Sequence, residues 1–241
     1  VQTCALPIYL TFTMGCLPEW PYGNYGEGPC FKVILSPYSI GKYEVRNDEY
    51  HCFVKSGGYL DSTLWSEAGW DYIRKQNRSC PEGWTEGDEP WINCKYSFTS
   101  DRPISNISWY EAEAYCNWLS RKTGEHYSIP TEAQWERAAR GPDPGRIFPW
   151  GNQNDTTRLN NMYFSGTLYP VGSFPNGQSY EGCYDMCGNL WEYCFDWYDL
   201  EIYSVYKLQE PVVDPIGPDT SRYSSKSVRG CPDWIHYDPA V

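Results

Sequence analysis

The sequence predicts an α+β fold that is irregular, low in secondary-structure content, and built from a few short helices and strands. Three observations lead there. Hydrophobic residues fill 41% of the 241 positions, enough for a core, yet much of that share is aromatic, with 12 Trp and 22 Tyr. The 21 Gly and 19 Pro punctuate the chain too often for long elements. Capped helical patterns stop at Gly141, beyond which short aromatic pieces such as "IFPWGN" and "NLWEYCFDWY" alternate with Gly, Pro and Asn. The length fits one large domain or two small ones. With no internal repeat, low-complexity linker or step in composition, a single domain is the simpler reading.

In chain order, "YLTFTMG" reads as a strand entering a glycine turn at Met14-Gly15. "FKVILSPYSIGKYEV" reads as one or two strands broken at Pro37, whose missing N–H cannot join a ladder. "RNDEYHCFVKSGG" is helical: Asn47 can cap, Tyr50, Phe53 and Val54 share a face, and Gly57 ends it. Residues 61–100 show neither period and read as a Trp-rich loop. The strongest helix is "SWYEAEAYCNWLSRKTG", with a capping box at Ser108 and Glu111, an apolar stripe at Ala112, Tyr115, Cys116 and Leu119, and a stop at Gly124. A second capped helix follows in "PTEAQWERAARG": Thr131 and Gln134 form the box, Trp135, Ala138 and Ala139 share a face, and Gly141 ends it.

Charge and cysteine usage narrow the function. A formal net charge of −12 repels nucleic acid and anionic membrane surfaces, so no nucleic-acid partner is expected. No apolar run approaches the roughly 20 residues that cross a bilayer. Eleven Cys point to an oxidising setting, extracytoplasmic or secreted, although no secretory signal is visible. Cys80 and Cys94 bracket the polar loop "SCPEGWTEGDEPWINC", which a disulfide would usefully close. Asn77-Arg78-Ser79, Asn106-Ile107-Ser108 and Asn154-Asp155-Thr156 match the glycosylation pattern, a short motif of low specificity.

Both ends carry expectations of their own. "VQTCALPI" is the translation of GTTCAGACGTGTGCTCTTCCGATC, part of a common sequencing adapter. Residues 1–8 are therefore read as an assembly artefact and residues 9–241 as the domain, which is expected to be truncated at its C-terminus. Setting Cys4 aside from the 11 Cys leaves ten, a number that can pair completely.

The pieces "FTMG", "GKYEVRNDEY", "RPISNISWYEAEAYCNWL", "YSIPTEAQWERAARG", "FPWGN", "YPVGSFPN" and "YDMCGNLWEYCFDWY" occur in an order that resembles the formylglycine-generating enzyme family, also called sulfatase-modifying factors. The resemblance runs from about Phe12 to Trp234, and seven pieces in the family's order are far more specific than any one. It implies a C-type-lectin-like fold, stabilised in some members by calcium. It also implies an activity, oxidation of a sulfatase cysteine to formylglycine with oxygen and a copper ion held by two cysteines.

By resemblance, calcium would sit at "YDMCGNLWEY", with carboxylate oxygens from Asp185 and Glu192 and backbone carbonyls from Gly188 and Leu190. Calcium takes six to eight oxygens, and a loop turning at Gly188 can aim side chains and carbonyls inward together. The plainer alternative is a hairpin turn at Gly188-Asn189 with two exposed acids and Trp191 packed inside. A second family calcium site would begin at "NNMY", with the Asn161 side chain and the Met162 carbonyl, but the segment carrying its other ligands looks shortened. Cys183, Cys187 and Cys194 lack the partner pair a structural zinc site wants and read as disulfide-bonded or buried thiols.

The catalytic centre is where the chain departs from the family. The copper cysteines follow a "RVxxGGSW"-like segment, here "SVRGCPDWIHYDPAV". Two thiolates suit Cu(I). Aligned on Trp234, the first cysteine position falls near His236 and the second at or just beyond Val241, and neither residue is cysteine; Cys231 stands where the family has glycine. The catalytic residues stay unassigned, and the chain as given is expected to be inactive in cysteine oxidation. His51, His126 and His236 are too scattered to support a three-histidine iron site, and His51 and His126 read as surface or structural residues. Two functions remain open: a formylglycine-generating enzyme acting on a sulfatase polypeptide, and a non-catalytic lectin-like module whose aromatic, acidic surface binds a glycan or protein ligand.

Overall fold

The computed structural model describes residues 2–6, 10–15 and 27–230. Among them, in chain order, are β1 (Thr3–Leu6), β2 (Leu10–Met14), β3 (Phe31–Leu35), β4 (Tyr38–Gly41), α1 (Asn47–Lys55), α2 (Glu67–Lys75), α3 (Trp109–Thr123), α4 (Glu132–Arg140), α5 (Met162–Ser165), β5 (Glu192–Trp197), α6 (Ile202–Gln209), β6 (Val212–Val213) and β7 (Lys226–Arg229). The mixture of short helices and small open sheets is the α+β architecture expected. These elements fall into two compact units, one drawn from Val1–Tyr43, Pro130–Phe164 and Phe174–Val241, the other from Glu44–Ile129 and Ser165–Ser173.

The first unit holds every strand among the described residues. β2 pairs antiparallel with β3, and β3 pairs parallel with β6. Alternation along β2 and β3 turns Phe12, Met14, Phe31, Val33 and Leu35 to one side, where they pack with Ala133 of α4 and Tyr203 of α6. A second cluster sets Trp135, Ala138 and Ala139 of α4 against Cys183, Met186 and Cys194. α4 is thus buried on both sides, which its Ala-rich sequence permits. β5 and β7 form an antiparallel pair with Glu192 opposite Arg229 and Tyr193 opposite Val228. β1, set aside in the sequence reading, pairs with β4 from Thr3–Gly41 to Leu6–Tyr38. The turn after β2 is made by Gly15, where φ is +93° and an added Cβ would lie 2.7 Å from the Glu27 carbonyl oxygen.

The second unit is helical and aromatic. Tyr50 and Phe53 of α1, Tyr115 of α3, and Tyr59, Trp65, Trp84 and Trp91 from the loops build one core. Glu111 of α3 is fully buried in it, accepting from the Tyr59 hydroxyl (2.6 Å), Arg78 Nη1 (2.8 Å) and the Ser108 backbone N–H (2.7 Å). This satisfies a carboxylate that would otherwise be costly to bury.

Four sequence expectations change here. Residues 61–100 contain α2, capped by Ser66, with Gly69 at the third helical position where the capping boxes of α3 and α4 carry Glu or Gln. An added Cβ at Gly69 would lie 3.1 Å from Tyr110 Cβ, tight enough that Tyr110 would have to shift. α5 and α6 lie beyond Gly141, where no helix was expected: α5 has only four residues, and α6 combines β-branched and aromatic residues with no side-chain cap. The N-cap of α1 is Arg46, while Asn47 lies inside the helix, with its side-chain amide donating to Ser97 and Thr99 oxygens. On α3 the buried stripe is Glu111, Ala114 and Tyr115, one position off the expected set, because a hydrogen-bonded carboxylate takes a core place that hydropathy assigns to the surface.

Candidate metal centre

The loop from Asp185 to Glu192 is bent by three successive departures into left-handed backbone: Asp185 (φ 57°), Gly188 (φ 107°) and Asn189 (φ 67°). Non-glycine residues in that region are uncommon, and Asn and Asp are the ones that tolerate it. Hydrogen bonds fix the loop on two neighbours. Gly188 N–H donates to the Gly230 carbonyl (2.6 Å), just past β7, and Asn189 N–H donates to the Asn160 carbonyl (2.9 Å). Asn160 Nδ2 returns a bond to Asn189 Oδ1 (3.0 Å). Gly188 is irreplaceable on steric grounds, since a Cβ there would lie 2.7 Å from the Asn160 carbonyl oxygen.

Two of the four sequence-assigned oxygens converge. A Cβ placed on Gly230 would be 3.0 Å from the Leu190 carbonyl oxygen and 3.4 Å from Glu192 Oε1, so both oxygens border one point, left open by a glycine. Glu192 Oε2 accepts from the Trp135 indole N–H (3.2 Å), whereas Oε1 is shielded from solvent and has no hydrogen-bond donor. Burial, partly offset by the Trp135 bond and reinforced by the charge of Asp185, pushes the Glu192 carboxyl up to about 8. Asp185 is itself 8% exposed, while Trp191 is 46% exposed. The plain hairpin alternative, with acids outside and Trp191 inside, is therefore the reverse of what the structure shows. Two neighbouring acids, an undonated buried oxygen and a carbonyl beside it are a donor set of hard oxygens, which fits calcium.

The other site candidates are not assembled in the same way. Asn161 and Met162 lie half-buried at the start of α5. Among the described residues no group of three or more His, Cys, Asp or Glu side chains could hold a metal ion. Cys183 and Cys194 are fully buried in the α4 cluster, where burial raises both thiols, and they serve as core residues. His51 is buried edge-on to Trp84 and Trp91, at 5.7 and 5.3 Å between ring centroids, and His126 is exposed. Cys231, His236 and Val241, on which the copper reading turns, lie outside the described residues.

Next to the loop is a charged cluster that sequence reasoning missed. Arg229 of β7 donates to Glu27 (2.7 Å), Glu132 (3.0 Å) and Glu136 (3.1 Å), and to the Tyr203 hydroxyl (2.7 Å). Glu136 also accepts from Arg140 and from the Gly15 N–H. Asp196 accepts from the Glu132 backbone N–H (2.8 Å) and, chiefly through burial, is pushed up to about 7. The outward face of the β5–β7 pair is aromatic, with Phe195 and Val228 each 39% exposed and Lys226 Nζ 4.1 Å from the centre of a Trp197 ring. The only sequence signal for Arg229 was its place in "SVRG".

Comparison with known proteins gives a consistent picture. A model of the sulfatase-modifying factor enzyme 1-like domain matches residues 11–231, spanning both compact units. A formylglycine-generating enzyme from Thermomonospora curvata is 31% identical over 245 residues, covering 87% of this chain and 76% of the relative. A hercynine oxygenase from Mycolicibacterium thermoresistibile is 32% identical over 197 residues, covering 79% of this chain but 43% of the relative. An inactive C-alpha-formylglycine-generating enzyme 2 from Mus musculus is 31% identical over 211 residues, covering 76% of this chain and 65% of the relative. Among solved structures, PvdO from Pseudomonas aeruginosa superposes with a TM-score of 0.66 over 95% of this chain and 81% of its own, at 24% identity, a likeness of fold. The chain spans about two fifths of the length of the hercynine oxygenases it matches.

Proposed function

The chain belongs to the sulfatase-modifying factor enzyme 1-like family, and from that membership we propose that it is a calcium-stabilised binding module of the formylglycine-generating type that does not itself oxidise cysteine. The observation carrying the calcium part is the buried, undonated Glu192 Oε1 beside the Leu190 carbonyl. Asp185, Gly188, Leu190 and Glu192 would hold the ion, which supplies the positive charge that lets two neighbouring carboxylates stay ionised while buried. Trp135 holds Glu192 Oε2 in place, and Gly188 and Asn189 tie the loop to residues 230 and 160. Asn161 and Met162 are left as a weaker second calcium position.

The absence of oxidase activity rests on residue identity, with His236 at the position where the first copper cysteine is expected. The aromatic face of β5 and β7 would supply contact area for a polypeptide of the sulfatase kind, the class named by the matched family domain. Calorimetry on metal-free protein tests the calcium reading: stoichiometric calcium binding that Glu192→Gln abolishes supports it, and no binding to the wild type sinks it. Incubation with copper and a cysteine-containing sulfatase peptide, read by mass spectrometry, should show no formylglycine.

A second reading is favoured by the extent of the Thermomonospora curvata match, which covers 87% of this chain. On that reading the protein is a copper-dependent oxidase acting on a sulfatase cysteine. Formylglycine in the same assay would establish it and overturn the non-oxidising proposal.

A further inference from the structure

The segment between α2 and the Ser97–Pro103 turn has no regular structure, yet its ends are held together. Trp84 and Trp91 pack edge to face, 5.5 Å between ring centroids, inside the core of the second unit. Thr85 N–H donates to the Pro90 carbonyl (2.9 Å), closing the loop across its neck, and Trp84 N–H donates to the Pro81 carbonyl (3.2 Å), forming a turn at its start. Both cysteine sulfurs lie on that turn. Cys94 Sγ is 3.4 Å from the Gly83 carbonyl oxygen, and Cys80 Sγ is 4.0 Å from the next one along, that of Trp84. Cys94 Sγ also lies against Gly83 itself, 3.6 Å from the point where an added Cβ would stand.

We propose that Cys80 and Cys94 are the two halves of a disulfide that closes this loop, independent of the calcium and activity readings. The structure presents both as thiols. Cys80 is half-buried and Cys94 is 6% exposed, so Cys80 is the sulfur an external oxidant reaches first. A donor disulfide of the glutathione kind supplies the oxidising equivalents. The Cys80 thiolate attacks one donor sulfur, forming a mixed disulfide and expelling one donor thiolate; the Cys94 thiolate then attacks Cys80 Sγ and expels the other. The protein loses two protons and two electrons, and the donor becomes two thiols. Burial raises both protein thiols, so closure speeds up with rising pH.

The full chain, equilibrated in a buffer of oxidised and reduced glutathione and alkylated without reductant, decides the matter by peptide mapping. A glutamate-specific protease cuts after Glu82 and Glu86, both between the two cysteines. Linked Cys80 and Cys94 peptides that separate on reduction are the expected result. An alkyl label on either cysteine, or a bond from either to a different cysteine, overturns the proposal. As a second readout, reductant should lower the Tm of the wild type by about 5–10 °C more than it lowers that of the Cys80→Ser/Cys94→Ser variant. If that variant does not fold, the wild-type map alone decides.

Discussion

Asp196 shows how one buried carboxyl makes this fold sensitive to pH. Its side chain accepts the Glu132 N–H at the start of α4, and it faces the charges of Glu132 and Arg229. Burial leads these effects, and its folded pKa of about 7 lies above the ordinary value of 3.8. Between those two values the folded chain binds a proton that the unfolded chain has released, so stability falls as pH rises through the window. The slope cannot exceed about 1.4 kcal/mol per pH unit for one group. With calcium saturating, to hold Glu192 constant, chemical denaturation at pH 5 and pH 7 should show the higher stability at pH 5. Asp196→Asn keeps an oxygen to accept the Glu132 N–H and should flatten that difference. An unchanged slope would show that Asp196 is ionised throughout. Gly188 sets a steric counterpart: Gly188→Ala pushes a methyl against the Asn160 carbonyl in a backbone region that disfavours side chains. It should weaken calcium binding at least tenfold, about 1.4 kcal/mol, in the same calorimetric titration.

At the scale of elements, α4 organises the first unit and its start is the place to test it. Thr131 Oγ1 accepts the Gln134 N–H (3.2 Å), and Gln134 Oε1 accepts the Thr131 N–H (2.9 Å). Thr131→Ala removes half of this reciprocal cap and should cost about 1 kcal/mol, with Thr131→Ser restoring most of it. In the second unit, Arg78→Ala strips the fully buried Glu111 of its cation and should cost about 3 kcal/mol, because an uncompensated carboxylate is left inside. Denaturant midpoints separate the two effects in size. These elements also show what a linear reading can reach. The capping boxes at Ser108 and Thr131 and the stop at Gly124 are local chemistry, and they stand where the sequence places them. α2 and α6 escape because neither carries a capping box: Gly69 stands where α3 and α4 have Glu or Gln, and α6 has no side-chain cap on its aromatic and β-branched residues. The metal loop was legible as a motif, Asp185 to Glu192, but its strongest sign was not: Glu192 Oε1 lacks a donor because of how Trp135 and Gly230 approach it from distant positions. Arg229 was invisible for the same reason, since its partners lie up to 202 residues away.

For the whole molecule, the decisive quantity is charge. A net charge of −12 is spread over the chain, and self-repulsion of that kind weakens the compact state in a way any salt relieves. Exposed ion pairs such as Lys55–Asp88 add little and are themselves screened. Sodium chloride at about 0.15 M, where the screening length is about 8 Å, should therefore raise the Tm slightly. Calcium must be distinguished from this general effect, because any divalent cation also screens. A specific site behaves differently: stabilisation follows RT ln(1 + [L]/Kd), continues to grow with calcium at constant ionic strength, and disappears when a ligand is lost. The expected pattern is that the wild type gains in both sodium chloride and matched calcium, with calcium giving the larger shift. Glu192→Gln should gain only the sodium chloride increment. Equal shifts from the two salts in the wild type would mean that the acidic loop responds to ionic strength alone, and that the undonated oxygen of Glu192 is satisfied by a proton rather than by a cation.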